Sequence, residues 1–507
     1  MNNVIKKAVL LSFALMVSFS AGLSGKGRLD ESRLPSPVFA ANPGYVDLYW
    51  KAWRLAWDHV MYQEGLPYPE YVDEAHSQEK IWVWDSAFMV LFCKYALDVF
   101  PRLEPMGNFY KTALEKDMSP LKIQHPDNPP IFAWAESECY KMTGDKEHLT
   151  ELLCTDRYLQ GWYDFFESMA PGQRFHYDHW HISAQRKPLG YTWNGISSGM
   201  DNTPRMRPGG GQRYRGPIDD VLWVDAISQQ ALSALCISRL AKEIGNKEIE
   251  KEFSARYQRL KKLVLDHYWD EEDGCFYDIK ESTLEKTKVL TPASFWPLLA
   301  EIPSKKMARR QIEYGLADDK LGGFCPWVTV SRDDPDFDAV DGNYWEGGVW
   351  LPTGYMAVKA LEKYGEHELA SGTSEQLLEH MYRTWKEYEP HTIWECYAPN
   401  SYEPSMTSHR KRVRPDFCGW SALGPISLFI ENVLGFYQMD ASKGIVRWNL
   451  HQECTHGIRN LRFGDVVTDI VYDSDKGQVE VESNRPYKLF INNKAYKVKS
   501  GKTIINC

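Results

Sequence analysis

Cysteine is scarce for a chain this long: ten in 507 residues, with no Cys-x-x-Cys pair and no Cys/His cluster at zinc-ligand spacing. That excludes a disulfide-stapled scaffold and a zinc-finger or ribbon module. Positive charge is not in excess. Lys plus Arg number 59 against 69 Asp plus Glu, a net charge of -10, so nucleic acid and anionic membrane surfaces have no electrostatic support as partners. There is no phosphate-cradling glycine loop and no dinucleotide fingerprint. What the chain does have is rings: 19 Trp, 28 Tyr and 21 Phe. Flat rings suit the apolar faces of sugars, and they also suit a large helical core. Composition alone leaves both open.

The first twenty residues read as an export signal. Lys6 and Lys7 precede an apolar run from Ala8 to Phe19, and Ser18 and Ser20 supply small residues for cleavage. The run is too short for a permanent membrane span, and no cysteine precedes Cys93 to carry a lipid. The expected product is exported, periplasmic or secreted, with no membrane anchor. Residues 21–42, rich in Gly, Ser and Pro, read as a flexible leader.

From 43 to 438 the texture is helical. Ile249, Phe253, Tyr257, Leu260 and Val264 recur at three- and four-residue spacing, as do Leu378, Met381, Trp385 and Tyr388. Further stretches lie near 45–60, 84–98, 147–169, 226–244, 305–316, 354–364 and 421–436. Loops rich in Gly, Pro, Asp and Trp join them. Paired helices around a central axis, an (α/α) barrel, are the simplest closed arrangement. After 438 short β-branched and aromatic runs alternate with turn signals such as Asp473-Ser-Asp-Lys-Gly477. Residues 439–507 are expected to form a small β domain without catalytic groups.

Four segments concentrate chemistry. Trp84-Asp85-Ser86 sets a carboxylate among aromatics at a helix start, either to grip sugar hydroxyls or to favour the helix N-terminus. Ser198-Gly199-Met200-Asp201-Asn202-Thr203-Pro204-Arg205 crowds a loop that either presents Asp201 with Arg205 beside it, or closes an Asx turn. Tyr344-Trp345-Glu346-Gly347-Gly348-Val349-Trp350 brackets two glycines with tryptophans. Trp394-Glu395-Cys396-Tyr397 buries a second carboxylate among rings, and its loop ends at Trp420. Trp134, after Pro129-Pro130, is a weaker sugar-contact candidate. The acids from Asp333 to Asp341 lack the glycine position of an EF-hand, and His176, His179 and His181 lack a completing ligand, so no metal is expected.

Together these segments resemble glycoside hydrolase family 63. Ser198 to Arg205 is similar to that family's "SGMDNSPR" loop, Tyr344-Trp345-x-Gly347-x-x-Trp350 to its "YWRGPVW" element, and Trp84-Asp85-Ser86 to its early Trp-Asp motif. The resemblance implies an (α/α)6 barrel and hydrolysis of an α-glycosidic bond with inversion. It implies Asp201 as general acid and Glu395 as general base, with no cofactor. Trp84, Asp85, Trp134, Asn202, Arg205, Tyr344, Trp345, Glu346, Trp350 and Trp420 become the expected substrate contacts, the substrate being a small oligosaccharide or glycoside. Two departures stand out: Glu346 occupies the place of the family's Arg, and Gly348 that of Pro. Lys80 and Trp82 replace the Glu and Tyr of trehalases, which disfavours trehalose. The alternatives are another (α/α)-barrel sugar enzyme, such as an unsaturated glucuronyl hydrolase or a lyase, and a glycan-binding protein without catalysis.

Overall fold

The computed structural model describes residues 27–74, 80–96, 98–115, 122–123, 131–168, 184–209 and 220–506. The expected signal peptide, Pro129-Pro130 and His176, His179 and His181 lie outside the described residues. Two kinds of helix follow from two apolar patterns. Lys247–His267 buries one stripe, Ile249 to Val264, and leaves its charges in water, as an outer helix should. Val83–Cys93 is buried on every side, which suits an interior helix.

Among the described residues, six inner segments pack side by side in a ring. They are Val83–Cys93, Phe132–Thr143, Val224–Glu243, Trp296–Leu299, Leu351–Lys363 and the pair Trp420–Leu423 and Gly424–Val433, which closes on the first. Each follows an outer helix: Pro43–Asp58, Glu104–Phe109, Tyr158–Glu167, Lys247–His267, Lys305–Gly315 or His367–Glu387. The architecture is an (α/α)6 barrel.

The inner helices share a direction, so their two ends make two poles. Asp85, Trp350 and Trp420 stand at helix starts, whereas Lys94, Lys363 and Glu431 stand at the far ends. The rise of 1.5 Å per residue separates Asp85 from Lys94 by ~13 Å along the axis. Between the poles the rings of Trp84, Phe88, Trp134, Trp296 and Tyr355 form an aromatic partition. Their centroids lie 5.0 to 6.1 Å apart in successive pairs, mostly edge to face, as ring quadrupoles prefer.

Beyond Phe436 the chain turns to strands. A five-stranded antiparallel sheet orders Ser36–Phe39, His456–Phe463, Val466–Asp473, Gln478–Ser483 and Gly501–Asn506. A four-stranded sheet orders Gln438–Asp440, Ile445–Trp448, Tyr487–Ile491 and Lys494–Val498. Phe463 and Tyr487 meet between the two sheets at 5.5 Å. The amides of Ala441 and Gly464 donate to the carbonyls of Lys141 and Met142 at 2.7 and 2.6 Å, fastening the strands to the end of the 132–143 helix.

The flexible leader is a misreading of its described part. Ser36–Phe39 is an edge strand, with Ser36 opposite Arg459 and Phe39 opposite His456. The Asn460 side chain donates to the carbonyls of Ser32 and Leu34 at 2.8 and 2.9 Å, and the Tyr49 hydroxyl donates to that of Pro35 at 2.5 Å. An open sheet edge calls for partners for its backbone groups, and this segment supplies them.

Candidate active site

The Asp201 loop is built by local geometry. Asn194 caps the short helix Gly195–Ser198 through the Ser197 amide at 2.8 Å, and Gly199 leaves it with φ +77°. A Cβ at Gly199 would stand 2.9 Å from the Trp84 indole, so the loop lies directly on the Trp-Asp motif. Asp201 then projects with an exposed surface. Among the described residues no hydrogen bond reaches its carboxyl, which removes the Asx-turn alternative.

Glu395 is the opposite case, buried and held. Its backbone amide donates to Arg414 O at 3.0 Å, and Trp394 pairs with Pro415 as a β-bridge. Its carboxylate accepts from the Tyr344 hydroxyl at 2.9 Å and from the Arg414 amide at 3.3 Å. The Trp420 indole donates to Glu395 O at 3.0 Å. Tyr344 reaches this position with φ +72°, a costly conformation for a non-glycine residue and one that collects at functional sites.

The electrostatics differ to match. The mass of protein around Asp201 desolvates its carboxyl although the group opens on solvent. With the like charge of Glu395 and against the pull of Arg414, this pushes it up to about 7. Glu395 is also raised by burial, but the Arg414 charge, the Tyr344 hydroxyl and the Arg414 amide all oppose that rise. Asp85, buried in the first turn of its helix, is pushed well up by desolvation and then by Asp201, Glu395 and Asp73, against its own backbone amide.

Asp85, Asp201, Glu395 and Tyr344 therefore belong to one electrostatic cluster. Two groups of that cluster were missed from the sequence. Glu74 is fully buried, with neither carboxylate oxygen hydrogen-bonded among the described residues; desolvation, Asp73 and Asp85 push its pKa well up. Arg414 brings the cation felt by Glu74, Asp201 and Glu395, yet its Nη1 is buried without a hydrogen-bond partner among the described residues. The available signal was an arginine in the loop joining Glu395 to Trp420.

Several expected contacts sit elsewhere. Arg205 forks onto Asp225 at 2.6 and 2.8 Å and onto Asp278 at 2.8 Å twice. Its side chain is 1% exposed and lies over the Trp223 ring, so it is a buried structural cation. Asn202 donates to Asn343 O and accepts from the Trp345 amide, both at 2.9 Å. It stitches the Asp201 loop to the Tyr344 segment, which fixes the orientation of its amide. Trp345 and Trp350 stack at 3.9 Å and are buried; they brace the wall behind Tyr344, whose carbonyl accepts from Trp350 Nε1 at 2.9 Å. Trp420, by contrast, stays at the site, bonded to Glu395 O and packed on Trp350 at 5.5 Å. Trp134 belongs to the aromatic partition and faces the other pole. Glu346 turns toward Asn343, Asp336, Asp338 and Arg410, not toward Asp201.

The acidic loop is neutralised by arginines: Arg207 meets Asp334 and Asp336 at 2.6 and 2.7 Å, and Arg410 meets Asp338 and Asp341 at 2.7 and 3.0 Å. Among the described residues the acids spaced for a cation are Asp270, Glu272 and Asp273. Lys288 already approaches all three, at 2.9, 3.8 and 2.8 Å.

Comparison with known proteins agrees with this fold. Residues 116–410 match the model described as the mannosylglycerate hydrolase MGH1-like glycoside hydrolase domain. An uncharacterised protein of Borreliella burgdorferi is 25% identical over 90% of this chain and 94% of its own length. The mannosyl-oligosaccharide glucosidase of Saccharomyces cerevisiae is 22% identical over 48% of this chain, a match spanning 30% of that enzyme. The solved family 63 mannosylglycerate hydrolase of Thermus thermophilus, in complex with glucose, superposes with a TM-score of 0.56 at 17% identity, over 75% of this chain and 99% of its own. A sialidase structure superposes with a TM-score of 0.66 at 14% identity, over 94% of this chain and 40% of its own.

Proposed function

Because the chain belongs to the mannosylglycerate hydrolase MGH1-like glycoside hydrolases, we propose that Asp201 and Glu395 are its catalytic pair and that it opens an α-glycosidic bond with inversion. The observation that carries this reading is the asymmetry of the two carboxyls. Asp201 is crowded toward the protonated form near neutrality, whereas Glu395 receives a hydroxyl, an amide and a nearby cation that favour its charge. Inverting hydrolysis needs this division: an acid on the leaving oxygen and a base for water on the opposite face.

The step balances simply. Asp201 gives its proton to the glycosidic oxygen as the bond to the anomeric carbon breaks. Water attacks that carbon from the other face and gives a proton to Glu395, and the proton returns to Asp201 through solvent. Asp85 grips a hydroxyl of the bound sugar beside Trp84 and Trp420. The substrate is an α-linked glucoside or a related small glycoside, and the segment 1–20 exports the enzyme.

A second reading of the aglycone rests on Arg414. Its buried Nη1, without a hydrogen-bond partner among the described residues, belongs to a cation that also acts on Asp201, the leaving-group side, and favours an aglycone that carries a carboxylate, as in the mannosylglycerate named for the Thermus thermophilus enzyme. A panel of α-glucosides and α-mannosides, with neutral and carboxylated aglycones, separates the two. Early-time NMR should show the β-anomer as first product. An α-anomer would overturn the mechanism.

A further inference from the structure

The pole opposite Asp201 and Glu395 holds an open pit of about 230 Å³ on the barrel axis. The aromatic partition, through Trp134, forms its floor, and Tyr437 to Met439 of the first β-segment stand at its side. Its walls are charged. Lys94 and Lys359 flank the buried Glu431 at 2.9 and 2.5 Å, Lys359 also meets Glu362 at 2.6 Å, and Lys141 meets Glu138 at 2.5 Å. Four lysines therefore face three glutamates, and the fourth lysine is Lys363.

Lys363 has no carboxylate of its own. The one within 4.0 Å among the described residues is Glu301, at 3.7 Å, and Arg239 already holds Glu301 through two hydrogen bonds of 2.8 and 2.7 Å. Burial and the charge of Lys141 push the Lys363 ammonium below its ordinary pKa. Helix C-termini attract lysines without any ligand, but here their last carbonyls are already satisfied. Lys141 O and Met142 O accept from Ala441 and Gly464, and Leu361 O and Glu362 O accept from the amides of residues 364 to 366. Two cations, Arg239 and Lys363, therefore share the one carboxylate of Glu301, and the polar pit keeps one positive charge in excess.

We propose that this pit is a second binding site, distinct from the catalytic pole, for a small oxyanion of the phosphate or carboxylate class held by Lys363 and Lys141. At ~30 Å³ per water molecule, the volume admits such an ion with part of its hydration. Glu138, Glu362 and Glu431 close the walls to larger anions and leave the mouth between Lys141 and Lys363, both partly exposed, as the point of entry.

The test is a titration with inorganic phosphate at fixed ionic strength, read by calorimetry and by thermal unfolding. Wild-type protein should give saturable heat and a Tm rise that follows saturation. Lys363→Met should weaken binding about tenfold or more, the loss of one charge-assisted contact, and Lys363→Arg should retain it. Lys141→Met repeats the test if the first variant is shown by circular dichroism to be unfolded. Asp201→Asn should bind phosphate as the wild type does. Absence of saturable heat, a Tm rise matched by chloride, or loss of binding in Arg414→Gln instead of Lys363→Met would overturn the proposal. The glycosidase reading stands or falls separately, on product anomer and on Glu395 variants.

Discussion

The two poles of the barrel bury the same kind of group and treat it oppositely. At one pole Glu74, Asp85, Asp201 and Glu395 gather with Arg414, a cation that acts on Glu74, Asp201 and Glu395, and all four are pushed toward protonation. At the other, Lys94 and Lys359 hold Glu431 below its ordinary value, and Lys141 with Lys94 does the same for Glu138. Burial is common to both; the supply of cations decides the protonation state. One pole is arranged for proton transfer at a cost in stability, and the other for stability.

The comparison breaks most sharply at the base. Glu395→Gln keeps the shape and removes the charge, so steady-state turnover should fall by about 10²–10⁴-fold. Azide with an activated α-glycoside should recover rate in Glu395→Ala and give the β-azide. An unimpaired Glu395→Gln enzyme would return Glu395 to structure.

Glu431→Ala does the reverse. It leaves Lys359 with Glu362 alone, Lys94 with the more distant Glu138, and the Tyr95 and Tyr355 hydroxyls without the carboxylate they bond. Urea unfolding should report a loss of about 3–5 kcal/mol, the cost of removing one partner from a buried ion-pair network. Arg205→Lys is milder. An ammonium cannot span the forks on Asp225 and Asp278, and the expected loss is about 1–3 kcal/mol; an unchanged midpoint would contradict the structural role.

The smallest effect sharpens the comparison most. The native state holds the Asp201 proton up to about 7, above the ordinary aspartate value near 3.9. Between those values the folded protein binds more protons than the unfolded one, so stability declines as pH rises through the window. Asp201→Asn should therefore gain Tm over the wild type, with no gain near pH 4 and most of it by pH 7. In the wild type kcat/KM should fall on the alkaline side near pH 7 as the acid loses its proton. An alkaline limb far above 7 would reassign it.

Legibility in the sequence followed the range of the interactions. Outer helices such as 247–267 announce themselves through a stripe at helical spacing, and the Asp201 loop and the Glu395 segment stand out as motifs. The resemblance drawn from them is borne out by the family match. Stretch 147–169 was expected as one helix, but Arg157 takes φ +56° and breaks it, a conformation no local pattern foretold. Arg205 was misplaced because its partners lie 20 and 73 residues away, and the tie of Asn202 to Asn343, 141 residues away, was equally hidden. A motif tells that a side chain matters; only the tertiary structure tells which way it faces.

The edge strand Ser36–Phe39 fixes the order in which this protein can be finished. Its partners, His456 to Arg459, are synthesised some 420 residues later, so this strand is placed only long after it has been made. Loop closure over such a span rewards its contacts late, and until then the edge of the five-stranded sheet stands open to any passing strand. A chain cut short before His456 leaves Ser36–Phe39 without its seat, and the early strand becomes a check that its late partner has arrived.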